Sequence, residues 1–251
     1  MKNISDIDFS QNLQNSDLRK SYLPNSDFSN INLQNSDFSN SYIKNSNFEN
    51  SLLTNSKFIN VNMRGINFSN AQLDFVDFSH SDLTGGNISN SNLSNAKFVN
   101  SYLYNVNLRN SNLSNVDFSL TNILEIDFQG SNLNNAKLIG HDLRRSFLMN
   151  ADLTNANLEG SFLDTNYIKN ITLIGANLSS TTFTTNNFES FDLTDVNFSN
   201  SELFESNFKN ANVTRTDFSN ADLKNADFAN SNLEDAVGGP FLGCKNHFMC
   251  E

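Results

Sequence analysis

From Leu13 to Leu233 every fifth residue is Leu, Phe, Ile, Met or Val, 45 times without a slip. Typical units read Ser-Asp-Phe-Ser-Asn (Ser36 to Asn40) and Ala-Asn-Leu-Glu-Gly (Ala156 to Gly160). An α-helix would place apolar residues three and four apart, and a plain strand two apart. A period of five excludes both as long elements. Take the recurring apolar residue as the centre of each unit. Two positions before it stands Ser, Ala, Val, Ile, Thr or Gly in nearly every case. Residues two apart on an extended segment face the same side, so this small residue and the centre both point inward. The residue between them, usually Asp or Asn, points to solvent.

Two positions after the centre, Asn or Gly occupies 31 of the 45 units. These types best tolerate positive φ. Pro24 falls just before Asn25, and Pro followed by Asn at the middle of a turn is the type II signature. Each unit therefore predicts a short extended piece and a tight turn. Repeated turns with one inward side make a coil.

Units such as Ala151-Asp152-Leu153, Ala176-Asn177-Leu178 and Ala221-Asp222-Leu223 resemble the pentapeptide-repeat family, whose motif is Ala-(Asp/Asn)-Leu-x-x. The resemblance runs through residues 13–237. It implies an all-β fold, a right-handed quadrilateral β-helix with four units in each 20-residue coil. The residues themselves support four sides. Of 15 Phe centres, 14 sit ten residues apart or at multiples of ten, from Phe28 to Phe228, with Leu dominating the positions between. Two opposite faces would then carry Phe and the other two Leu. The 45 units amount to about 11 coils, or roughly 53 Å at ~4.8 Å per coil. The expected organisation is an N-terminal cap (1–12), the repeat body (13–237) and a non-repeat tail (238–251). Between Leu138 and Leu178 no centre is Phe. His141 and Asn166, and then Asn186 and Phe191, occupy small-residue positions. This reads as local repacking or a slight bend, with a ligand notch as the alternative.

Composition alone, rich in Asn and Ser and 37% hydrophobic, would lean toward disorder. The unbroken register overrules it. No apolar run suggests a signal peptide or a bilayer span, so a cytoplasmic protein without a membrane partner is expected. Both Cys lie in the last eight residues, and no disulfide framework is expected in the body. The net charge of −11 opposes direct binding to nucleic acid or anionic lipid. It leaves a basic or DNA-binding protein as partner.

Residues 20 apart should stack like cross-strand neighbours. Asp37, Lys57, Asp77, Lys97, Asp117 and Lys137 form one such column, read as a neutral ladder of exposed ion pairs. Tyr22, Tyr42, Tyr102 and Phe162 form another, either a contact surface or simply good β neighbours. Residues 180–251 carry 11 carboxylates against four basic residues. Asp192, Asp195, Glu202, Glu205, Asp217, Asp222 and Asp227 are the candidate partner contacts there. The competing reading is that outward Asp belongs to the motif and aids solubility.

For catalysis the sequence offers little. His80, His141 and His247 are far apart, and Gly85-Gly86 lacks the Lys-Ser/Thr of a phosphate loop. No enzyme activity and no cofactor are expected. Cys244, His247 and Cys250 supply three ligands where structural zinc takes four, so the expectation is free tail thiols at Cys244 and Cys250, with a small disulfide ring as the alternative. Gly238-Gly239 before this Cys-bearing peptide is similar to the double-glycine cleavage sites of exported bacterial peptides. On that reading the body would be a leader.

The family resemblance implies more. Members with a known role are DNA mimics that bind DNA gyrase or topoisomerase IV, protect it from quinolones or peptide toxins, and dimerise end to end through the C-terminus. This chain departs from them in lacking a long C-terminal amphipathic helix and in having no loop that interrupts the repeat. The function expected is a non-enzymatic, rod-like binding protein with a protein partner such as a type II topoisomerase and a homodimer through the C-terminal end. The alternatives are a scaffold rod with another partner, or the leader.

Overall fold

Each outward residue of the repeat carries a backbone N–H and C=O that must find partners, and a five-residue unit is too short to supply them locally. In the computed structural model, which describes residues 12–163, 169–183, 187–238, 244–246 and 250, they are found 20 residues away. The Asp37 N–H donates to the Ser16 carbonyl (2.9 Å), and the Asp37 carbonyl accepts from the Leu18 N–H (2.8 Å). The pairings Asp17↔Asp37, Tyr22↔Tyr42, Asp27↔Asn47 and Asn32↔Leu52 are all parallel and all 20 apart. Four such pairings recur in each 20 residues. Only short strands are needed: β1 (Tyr102–Tyr104) pairs with β2 (Asn122–Leu124), and β3 (Phe162–Leu163) with β4 (Thr182–Phe183), again in parallel at 20-residue register. Among the described residues there is no α-helix. The chain forms two compact units, residues 1–132 and 133–251.

The corners follow the expected turn. Ser36 N–H reaches the Leu33 carbonyl (3.1 Å), with Asn35 at φ 57° between them. Positive φ at the third turn residue is what type II demands. The position imposes this more strongly than the residue type, because Phe75 (59°), His80 (63°) and Arg215 (54°) adopt it too. A second brace was not foreseen. The outward Asp or Asn turns its Oδ1 back onto the N–H two residues later, as Asp27 does for Ser29 (3.0 Å) and Asp37 for Ser39 (2.8 Å). Asn side chains also pair up the stack, Asn47 to Asp27 (3.1 Å), Asn67 to Asn47 (2.8 Å) and Asn107 to Asn87 (3.0 Å).

Inside unit 1 the Phe side chains stack on those one coil away and meet those half a coil away edge-on. Phe28 and Phe48 are parallel at 4.7 Å, and Phe28 meets Phe38 at 5.7 Å and 89°. Phe188, Phe208 and Phe228 repeat the stack in unit 2 at 5.0 and 4.8 Å. Buried Ser hydroxyls donate to carbonyls, Ser46 to Leu23 (2.8 Å) and Ser111 to Ile88 (2.7 Å), as buried polar groups generally must; Ser21 is the exception among the described residues. The Phe-free centres Leu138, Leu148, Leu158 and Leu178 are as closed as the rest. His141 and Phe191 are half-buried, and the Phe191 ring meets Phe188 edge-on at 6.0 Å. Asn166, Asn186 and nearly all of the expected N-terminal cap lie outside the described residues.

Two expectations are corrected. The first is corrected only at Lys57: the alternating Asp37–Lys57–Asp77–Lys97–Asp117 part of the column stacks in register, yet among the described residues no ion pair joins Lys57 to Asp37 or Asp77. Asp37 and Asp77 spend an oxygen on the backbone of Ser39 and Ser79 instead, and Asp37 lies 4.0 Å from Arg19. Cys244 and Cys250 are not free thiols. They form a disulfide, with Cα atoms 5.1 Å apart. The tail brings them together because Lys245 pairs with Asp227, its N–H on the Ala226 carbonyl (2.9 Å). Gly238 before it has φ 99°, and any Cβ there would collide with the backbone of Phe218 and Ser219. The fold thus accounts for a glycine that the sequence left unexplained.

Candidate functional site

The Oδ1 brace sorts the acidic residues of unit 2 into those the fold uses and those it does not. Asp192, Asp217, Asp222 and Asp227 each accept the N–H two residues on, from Thr194 (3.1 Å), Ser219 (2.8 Å), Lys224 (3.1 Å) and Ala229 (3.0 Å). Asp195 sits at a corner and takes both arms of Arg215, at 2.6 and 2.7 Å. That bidentate bond holds the Asp195 carboxyl below the usual range. Burial acts to raise the Asp227 carboxyl, but the Asn246 side chain, the Ala229 N–H and Lys209 (3.2 Å) outweigh it, and the net shift is downward.

Two candidates remain without such a role. Glu202 stands where the motif has Asp or Asn, and Glu205 stands at a corner with φ 57°. Both are exposed, and neither makes an ion pair among the described residues. Phe204, between them in sequence, is 44% exposed. Sequence reasoning passed over Phe204. The signal was an aromatic at the position after the centre, where Ser, Thr and Lys recur. Glu202 pairs with Asp222 on the next coil and Thr182 on the previous one, so two carboxylates stack with no cation between them.

The bridges also join two features that the sequence treated separately. In unit 2 the column runs Asp142, Phe162, Thr182, Glu202, Asp222. Phe162 is therefore on the same ladder as the acidic pair. Arg144 covers its ring at 5.4 Å and binds Asp142 at 2.6 Å, and this hydrogen bond lowers the Asp142 carboxyl. In unit 1 the same column position holds Tyr22, Tyr42, Asn62, Asp82, Tyr102 and Asn122. Tyr22 and Tyr42 stack at 5.2 Å, and Tyr102 stands apart. A shallow groove of about 380 Å³ beside Phe191 is lined by Ile171, Thr172, Glu189 and Asp192, at the place where the loosened repeat suggested a notch.

Among the described residues no cluster of three or more His, Cys, Asp or Glu could hold a metal ion. Cys244 and Cys250 are taken up by each other, and His247 lies outside the described residues. No helix among the described residues is long and apolar enough to cross a membrane.

Within each unit, parallel pairings at 20-residue register and turns braced at many corners by Asn or Asp make a repeat architecture whose variable surface is its outside. The chain belongs to the pentapeptide repeat family. The profile described as pentapeptide repeat region matches residues 11–88, and that of pentapeptide repeats (8 copies) matches 87–123, 126–164 and 201–237. None of the curated proteins compared with the chain matches it. Among solved structures it is similar to HetL, a pentapeptide repeat protein involved in heterocyst differentiation regulation in Nostoc sp. strain PCC 7120, with 21% identity over 93% of this chain and 88% of that one and a TM-score of 0.45. It is also similar to a thylakoid-lumen pentapeptide repeat protein of Arabidopsis thaliana (29% identity, 39% and 69% coverage, TM-score 0.39). A third is full-length QnrB1, a plasmid-mediated fluoroquinolone resistance protein (17% identity, 90% and 92% coverage, TM-score 0.31).

Proposed function

We propose that this chain is a non-enzymatic binding protein that presents an acidic surface to a basic protein, with a type II topoisomerase as the partner to test first. The observation that carries the reading is the Glu202–Phe204–Glu205 cluster beside Asp222. These are exposed carboxylates that no turn requires, around an exposed aromatic. Aromatic anchors within a charged surround dominate protein interfaces, and an acidic field speeds encounter with a basic partner. The finer form of the fold belongs to this reading: a right-handed quadrilateral β-helix of about 11 coils, at roughly 4.8 Å each, able to pair with a second copy through its C-terminal end. A cytoplasmic location fits a topoisomerase partner. The Cys244–Cys250 disulfide pulls the other way, since such bonds persist in oxidising compartments.

The test is a gyrase supercoiling assay with ciprofloxacin. The wild type should restore supercoiling, and a Glu202→Gln, Phe204→Ala, Glu205→Gln variant should not. No protection at excess wild-type protein removes the topoisomerase. It would leave the scaffold reading, which the neutralised Asp195–Arg215 and Asp227–Lys209 pairs favour. Light scattering decides the dimer.

A further inference from the structure

Over β1 and β2 in unit 1 lies an open groove of about 520 Å³, inside the ~300–1,000 Å³ typical of small-molecule sites. It forms where the repeat departs from its own pattern. At 102–104 and 122–124 three-residue strands replace the usual single pairing and turn. On a strand, alternate residues share a face, so Tyr102 and Tyr104 both project outward on either side of buried Leu103. They are 56% and 45% exposed. Neither ring has an aromatic partner among the described residues, unlike Tyr22 and Tyr42. Ile123 occupies a core position yet is only half-buried and lines the groove, next to exposed Leu124. Every neighbouring centre from Leu83 to Phe118 is closed.

The groove also carries a donor and an acceptor side by side. Arg64 Nε meets Asp82 Oδ2 at 2.9 Å, while Asp82 Oδ1 holds the Thr84 N–H (3.0 Å). The other guanidinium N–H groups of Arg64 make no hydrogen bond among the described residues, and the lining pair is electrically neutral.

We propose that this groove binds a neutral oligosaccharide. A pyranose ring has an apolar C–H face, which needs an aromatic ring with a free face, and a rim of vicinal hydroxyls, which needs adjacent donors and acceptors. Tyr102 and Tyr104 supply the first, and Arg64 with Asp82 the second. The balanced charge of the lining disfavours an ionic ligand. This site lies in unit 1 and is independent of the acidic cluster in unit 2.

Cellohexaose, maltohexaose and chitohexaose, with sialylated and sulfated glycans as controls, are titrated into the full-length protein by calorimetry. Tyrosine fluorescence serves as second readout, unobscured because the chain has no Trp. At least one neutral hexasaccharide should bind with a millimolar or tighter Kd. Tyr102→Ala and Tyr104→Ala should each weaken it about tenfold, and Arg64→Gln should weaken it as well. Tyr22→Ala should leave it unchanged. Both groove tyrosines are half exposed, so circular dichroism should show their variants folded. Absence of binding by all three neutral glycans, binding of only the charged ones, or binding that survives the Tyr102→Ala, Tyr104→Ala double variant would each overturn the proposal.

Discussion

Replacing Phe48 tests whether the stacked rings or mere apolar filling hold unit 1 together. Its ring is fully buried and touches four others. It lies 4.7 Å from Phe28 and 5.1 Å from Phe68 along the stack, and 5.6 and 5.9 Å from Phe38 and Phe58 across it. Phe→Ala in a core costs about 3–5 kcal/mol. Here the upper part of that range is expected, because the coils above and below are fixed by their own ladders and cannot collapse into the void. Phe48→Leu keeps most of the volume but forfeits four ring contacts, each worth about 0.5–1.5 kcal/mol beyond burial. Part of that is recovered by leucine packing, which leaves a loss of about 2 kcal/mol. Urea unfolding followed by far-ultraviolet circular dichroism measures both. If Phe48→Leu is neutral, ring geometry contributes nothing and the Phe alternation is only a matter of size. If Phe48→Ala costs under about 1 kcal/mol, the coil is loose enough to close the gap, and the fixed-ladder argument fails.

Corner strain gives a change of opposite sign. Phe75 is 54% exposed at φ 59°, so Phe75→Asn should stabilise by about 1 kcal/mol, read as a rise in Tm. The buried hydroxyls offer a matched pair. Ser41 donates to the Leu18 carbonyl (2.8 Å) and accepts the Ser21 N–H (3.0 Å), so Ser41→Ala removes one bond, orphans a buried donor and should cost about 1–3 kcal/mol. The Ser21 hydroxyl has no partner among the described residues, so Ser21→Ala should be neutral or stabilising, and equal losses at both sites would refute the distinction. Acid should act through carboxyls such as Asp27, which the Ser29 side-chain and backbone bonds and Asn47 depress against partial desolvation. A depressed folded pKa gives stability that is fully present above the unfolded value of about 3.9 and is lost as pH falls through the folded one. Asp27→Asn should therefore flatten the acid limb of a pH–stability curve and leave neutral pH nearly unchanged.

The repeat was legible because one period controlled everything that the backbone does. The centre, the small residue and the Asn corner each recur in a fixed place, and the Phe alternation at ten residues anticipated the stacks of Phe28 on Phe48 and Phe38 on Phe58. What stayed hidden depended on atoms that a period does not describe. Nothing in the sequence around Asn132 and Leu133 marks a boundary between compact units. The turn-bracing use of Asp37 could not be told from an ion pair with Lys57, because both readings place Asp in the same outward position. The pairing of Cys244 with Cys250 depends on Lys245 joining the ladder at Asp227, 18 residues away, and so outside the period that made the rest readable. Gly238 looked like a processing signal because a close backbone approach leaves no pattern in sequence.

The brace changes how charge on such a surface should be weighed. An Asp one position before the centre is paid for by the turn it stabilises, so Asp192, Asp217, Asp222 and Asp227 would stand there whether or not a partner exists. The acidic balance of residues 180–251 is thus weaker support for binding than its total suggests. The positions one and two after the centre are different. The backbone asks only for positive φ at the second, although Asn side chains there pair with the Asn one coil away, as Asn35 does with Asn15 (3.2 Å) and Asn60 with Asn40 (2.9 Å). Selection for binding can act there at little cost to the fold. Phe204, Glu205, Tyr104 and Leu124 all occupy these corner positions, and Glu202 is acidic at a place where the side chain is too long to copy the motif Asp. Apart from Asp82, whose Oδ1 braces the Thr84 N–H, the two surfaces proposed to bind are therefore built on residues that the coil tolerates and does not need, which makes them separable from stability by substitution.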